Sequence, residues 1–179
     1  MKNLFLIITA AALFASCSEE PSTPSTNGNG GGSGNAITIE GTWNLGSIAQ
    51  NNGQISLAGT VLSTYTSVSS NEQGSITFHS DGTLTSTDVG YTATQTMTTA
   101  GIPNTTSQEI SPTSSSGTYT YDSNSKKLTI EVPGSPTQEA VVSEMTASKL
   151  VYTTMFEQVN SAGGIESKTT AEIVTTLTR

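Results

Sequence analysis

Residues Gly74–Thr87 read GSITFHSDGTLTST, and the register of this one hairpin decides the kind of fold the chain builds. Ile76 and Phe78 stand two apart, so they share one face of a strand, and Asp81-Gly82 is a turn signal. A two-residue loop would set His79 opposite Leu84, whereas a three-residue loop over Ser80-Asp81-Gly82 sets Phe78 opposite Leu84. The second register puts the apolar side chains together, and it requires Gly82 to take the left-handed conformation of a bulged turn.

The same reading extends in both directions. In GTYTYDSNSKKLTIEV (Gly117–Val132), Tyr119 and Tyr121 alternate on one face and meet Leu128, Ile130 and Val132 across a four-residue loop, Ser123 to Lys126. Asp122 and Lys127 then face each other as an exposed pair worth well under about 1 kcal/mol. KLVYTTMFEQ and KTTAEIVTTLTR read as closing strands around a Gly163-Gly164 turn. Leu57 to Val68 has apolar spacing that a helix would tolerate, but its threonine-rich content favours a strand. With Gly41 to Ile48, Tyr91 to Thr98 and Glu139 to Glu144, the count reaches about eight to ten short strands at regular spacing. That is the pattern of an all-β, antiparallel barrel or sandwich, one domain over residues 36–179.

The first 35 residues follow different physics. Lys2 precedes an apolar run from Leu4 to Ala15 that closes on Ala15-Ser16. At about a dozen residues it is too short for a spanning helix, which needs about 20, and it suits a signal peptide over residues 1–16. The chain's one cysteine follows at once. Leu13-Phe14-Ala15-Ser16-Cys17 resembles a bacterial lipoprotein signal, and the resemblance implies that Cys17 becomes the mature N-terminus and carries a covalent lipid such as palmitate-bearing diacylglyceryl. Each buried methylene contributes about 0.8 kcal/mol, and two or more chains hold a protein on a membrane stably. Residues 17–35 are Ser, Glu, Pro, Thr, Asn and Gly after the cysteine, too poor in apolar side chains to offset ordering entropy, so a disordered tether is expected. The triplet Ser18-Glu19-Glu20 resembles the signal by which one phylum of two-membraned bacteria exports lipoproteins to the outer face. It implies an outer-membrane protein facing the cell surface, with a periplasm-facing position as the alternative.

Where the domain begins, GTWNL places Gly41, Thr42 and Trp43 at the head of the first strand, and the chain ends in LTR. The first resembles the Gly-x-Trp opening of lipocalin-like proteins, and the second resembles the final-strand basic residue that covers that tryptophan. Over Glu40 to Arg179 the chain is similar to lipocalin-like bacterial lipoproteins. The resemblance implies an up-and-down β-barrel whose mouth holds a small apolar ligand. An eight-stranded barrel is either filled by its own side chains or just able to take one small ligand, and the sequence permits both. Gly41, Trp43 and Arg179 are then the closure residues, with the guanidinium lying across the indole. The plainer alternative is a core tryptophan with Arg179 fraying as an ordinary terminus.

Catalytic chemistry is not legible. His79 is the one histidine, and beside a turn it reads as a surface residue. Without a second histidine or a free thiol, the usual zinc and copper ligand sets cannot be assembled, so no metal or other cofactor is expected beyond the lipid on Cys17. Glu139, Glu144, Glu157 and Glu172 are scattered singly along alternating strands, which names no general-acid/base pair. Fourteen acidic residues against six basic ones give a net charge of −8, the opposite of what nucleic-acid binding needs. The expected function is noncatalytic: a cell-envelope lipoprotein binding a small apolar or glycan-type ligand, with a structural or adhesive surface lipoprotein, contacting proteins or polysaccharides, as the alternative.

Overall fold

β-Branched threonine and valine are stiff at χ1, and segments that combine them with tyrosine pack well on a pleated surface. The computed structural model describes residues 37–179, and there these segments form eight antiparallel strands closed into a barrel in which each strand pairs with its neighbours in sequence and β1 pairs with β8. The strands are β1 (Gly41–Leu57), β2 (Thr60–Phe78), β3 (Thr83–Thr99), β4 (Ile102–Asp122), β5 (Lys127–Glu131), β6 (Gln138–Met145), β7 (Lys149–Ala162) and β8 (Ile165–Thr178). Residues 1–16, Cys17, Ser18, Glu19, Glu20 and the rest of 17–35 lie outside the described residues.

The deciding hairpin takes the three-residue loop. Phe78 pairs with Leu84, the His79 amide donates to the Thr83 carbonyl at 2.9 Å, and Gly82 has φ +84°. Tyr119 meets Ile130 and Tyr121 meets Leu128 in the next hairpin, as expected. Asp122 and Lys127 are register partners there, but they do not form the ion pair anticipated from the sequence. The Lys127 ammonium instead reaches Glu139 on β6 at 2.6 Å, while Asp122 accepts from the Ser125 hydroxyl and the Asn124 amide within its own loop.

The strands are longer than the sequence suggested. β1 continues past Ile48 to Leu57, and Leu57–Val68 is extended as its threonine content favours, running from the β1–β2 turn into β2. Three bulges interrupt the strands: Asn52, Asn71 and Asp88 have φ of 52°, 54° and 50°, and each sits where a strand pairing shifts register. Such an extra left-handed residue bends the strand and sharpens its twist, which helps a sheet to close.

The core lies at one end. Trp43, Phe78, Leu128, Leu150 and Leu177 are fully buried there, and the Phe78 and Tyr119 rings meet edge to face with centroids 4.9 Å apart. The β2–β3, β4–β5 and β6–β7 turns and both ends of the described chain surround this closed end. At the other end stand the β1–β2, β3–β4 and β7–β8 hairpins, which rise above the short β5–β6 pair.

Candidate functional site

The closed end is built from the two ends of the domain. Trp43 follows the head of β1 and is wholly buried; its indole N–H donates to the Ile39 carbonyl at 2.8 Å, so the segment entering the barrel folds over the ring that seals it. Arg179, just past β8, lays its guanidinium carbon 3.6 Å from the indole centroid. A guanidinium nitrogen donates to the Glu40 carbonyl, and the Arg179 amide donates to the Ser148 carbonyl in the β6–β7 turn at 3.0 Å. The cation therefore covers the ring and ties three chain segments together. Gly41, at φ +112°, makes the approach possible: a Cβ there would stand 2.8 Å from the guanidinium. The structure thus brings Gly41, Trp43 and Arg179 into one cluster.

Above this floor the inward positions change character. Alternation from Leu177 through Thr175 puts Ala171 and Thr169 on the inner face of β8, and Ser63, Tyr65 and Ser67 line the matching face of β2. Bulky Trp, Phe and Leu thus give way to a mixed wall, in which these small or hydroxyl-bearing residues alternate with Tyr65 and with Ile55, Met97 and Phe156, their register partners on the same face. The Tyr65 ring lies flat across β1. A Cβ at Gly53 would come within 2.6 Å of that ring, and the Tyr65 hydroxyl donates to the Thr170 carbonyl at 3.2 Å. Burial raises the Tyr65 phenol above its ordinary pKa, as it does for Tyr91 and Tyr152.

The outer wall carries two depressions. One, of about 310 Å³, is lined by Asn52, Gln54, Thr64, Thr66, Thr96 and Thr98 beside the β1 bulge. The other, of about 290 Å³, lies between Asp81-Gly82 and Thr118, Thr120, Thr129 and Glu131. Neither collects catalytic groups. His79 is exposed, with a ring nitrogen 3.2 Å from the Thr85 hydroxyl. Glu139, Glu144 and Glu157 each pair with a lysine at the surface, and Glu172 accepts from Asn52. Among the described residues no group of three or more His, Cys, Asp or Glu is placed to hold a metal ion.

The inward grading and the outer-wall depressions escaped sequence reading. Ser and Thr occur throughout the chain, and only the register shows which of them face inward. The lipidation residue Cys17 and the export residues Ser18, Glu19 and Glu20 lie outside the described residues.

No curated protein matches the chain. The lipocalin-like domain family matches residues 39–152, from the segment that caps Trp43 to Tyr152 near the start of β7. Lipocalin-like domains are in general non-enzymatic binding barrels. With eight antiparallel strands in closed sequence order, a tryptophan-sealed floor and a family match over most of its length, the chain belongs to the lipocalin-like domain family.

Proposed function

We propose that the protein is a noncatalytic cell-envelope lipoprotein whose barrel binds one small ligand of glycan type, bearing hydroxyl groups beside an apolar face. The observation that carries this reading is the change along the inner wall, from Trp43, Phe78 and Leu150 at the floor to Ser63, Ser67, Thr169 and Ala171 interleaved with Ile55, Met97 and Phe156 above it. Small inner side chains make room, hydroxyls supply hydrogen-bond partners, and Tyr65 offers an aromatic face. An eight-stranded barrel is just wide enough for one small ligand. Cys17 carries the lipid, residues 17–35 act as the spacer, and Ser18-Glu19-Glu20 directs the protein to the outer face of the outer membrane.

A thermal-shift screen of oligosaccharides against fatty acids tests this. A ligand at 100 times its Kd adds about 2.7 kcal/mol to the stability of the folded form. Stabilisation by members of the sugar set supports the glycan reading, and stabilisation by fatty acids alone replaces it with an apolar ligand. No response to either set favours a structural or adhesive surface protein. That second reading draws on the hydroxyl ladder of the outer wall, where Thr94 meets Ser107 at 2.9 Å and Thr96 meets Thr105 at 3.0 Å.

A further inference from the structure

The two ends of the barrel have opposite turn chemistry. At the closed end the turns carry Asp81, Asn124, Lys126 and Ser148, the polar residues that solvated loops favour. At the open end the three hairpins turn on Ala58-Gly59, Ala100-Gly101 and Gly163-Gly164, every one of these residues having positive φ. Tight two-residue turns of this kind prefer Asn or Asp at the first position, because those side chains tolerate the left-handed region. Ala58 and Ala100 hold φ of 48° and 49° without that help, so the sequence accepts backbone strain at two tips to keep them apolar. Exposed aliphatic side chains stand on the same three tips: Leu57, Val61 and Leu62 on the first, Ile102 on the second at 72% exposure, and Val159 and Ile165 on the third. Together they make up most of the large aliphatic side chains exposed among the described residues.

We propose that the open end of the barrel docks on an uncharged lipid surface through these three hairpin tips. The charge pattern selects that occupant. Residues 54–66 and 92–108 contain no charged side chain, so inserting these two tips strips water from no ion of their own strands. The third tip is uncharged only over 158–165, with Glu166 next to Ile165 and Lys168, paired with Glu157, beside Val159, and it therefore sits at the headgroup level. The chain's net charge of −8, with the one lysine near the tips, Lys168, already paired with Glu157, gives no net attraction to anionic headgroups. Shape points the same way. The aliphatics stand on three separate prominences around a mouth, which a deformable interface meets at once, whereas a rigid protein would need three matching sockets. The chain enters the barrel at the opposite, closed end, so this contact is distinct from any anchor on Cys17. It does not depend on what the barrel holds.

The test uses the full chain with Cys17→Ser and one new thiol, Ile102→Cys at a tip or Asn124→Cys at the closed end, each labelled with an environment-sensitive nitrobenzoxadiazole dye. Phosphatidylcholine vesicles should raise and blue-shift the emission at position 102 and leave position 124 unchanged. Adding Leu62→Asp or Ile165→Asp should weaken vesicle partitioning by about tenfold each, since each aliphatic is about half exposed and covering that half in lipid is what the charge prevents. Three outcomes overturn the proposal. These are no change at position 102, equal changes at both positions, as adsorption through the leader would give, and a change at position 102 that grows with protein concentration without vesicles, as a second copy would give. Where an Asp variant fails to fold by circular dichroism, the dye on the chain with native tips still decides.

Discussion

Removing the guanidinium from the indole tests how the barrel's floor is held. Trp43→Phe keeps an aromatic plug but loses the N–H that donates to the Ile39 carbonyl at 2.8 Å, leaving that acceptor near a buried ring. A net hydrogen bond contributes about 0.5–1.5 kcal/mol, and an unsatisfied buried acceptor costs about 1–3 kcal/mol. Trp43→Phe should therefore cost about 1–3 kcal/mol, and Trp43→Ala about 3–5 kcal/mol through the cavity it leaves. Arg179 is exposed, so its 3.6 Å approach to the indole belongs at the modest end for such contacts, about 0.5–1 kcal/mol. The coupling is isolated by a double-mutant cycle of Arg179→Ala with Trp43→Leu, read by urea unfolding under far-UV circular dichroism because Trp43 is the one tryptophan. A coupling energy indistinguishable from zero would refute the cation–π contact. A Trp43→Ala cost below about 1 kcal/mol would refute the sealed floor.

Gly117→Ala should destabilise the domain by about 1–3 kcal/mol, because a Cβ there runs into the Glu131 backbone carbonyl across β4–β5, and a chemical-denaturation midpoint equal to wild type would contradict that pairing. Asp81 accepts from the Thr83 hydroxyl at 2.6 Å and the Thr83 amide at 2.9 Å, and these bonds hold its carboxyl below the ordinary carboxylate pKa. Its contribution is thus present above the unfolded-state value and lost as pH falls through the lower folded value. The stability gap between wild type and Asp81→Ala should be full at neutral pH and shrink below about pH 4; a gap that widened on acidification would reverse the assignment. Cys17→Ser should move the protein from the detergent phase to the aqueous phase in a phase-partition assay, and unchanged partitioning would remove the lipid anchor.

Much of the barrel could be read from turn chemistry. Asp81-Gly82 and the Phe78–Leu84 pairing are local, set by loop length and by which register buries apolar groups. Bulges were harder. Asn52, Asn71 and Asp88 look like turns because the same residues supply left-handed φ in both settings, so long strands read as several short ones. The upper part of β4, Ile102 to Ser116, offered no apolar alternation and carries Pro103 and Pro112. It is a strand nonetheless: Pro103 sits next to the hairpin tip, and Pro112 falls in a register shift where no ladder donor is needed. Sequence also paired Lys127 with the wrong carboxylate, since Glu139 approaches from a strand whose register was not legible. In the candidate site, Gly41, Trp43 and Arg179 stood out as motif residues at the chain's two ends. The inward Ser and Thr did not, because only the barrel's closure distinguishes them from the many outside.

Closure between the first and last strands is the claim on which floor, mouth and family membership all depend, and nuclear Overhauser contacts across β1–β8 test it directly. The structure predicts cross-strand backbone contacts linking Leu45 with Leu177, Ala49 with Val174 and Ile55 with Thr169, together with slow amide exchange along Leu45–Ile48 and Thr175–Leu177. Absent contacts with fast exchange along both strands would mean an open sheet, and the closed lipocalin-like barrel would be wrong.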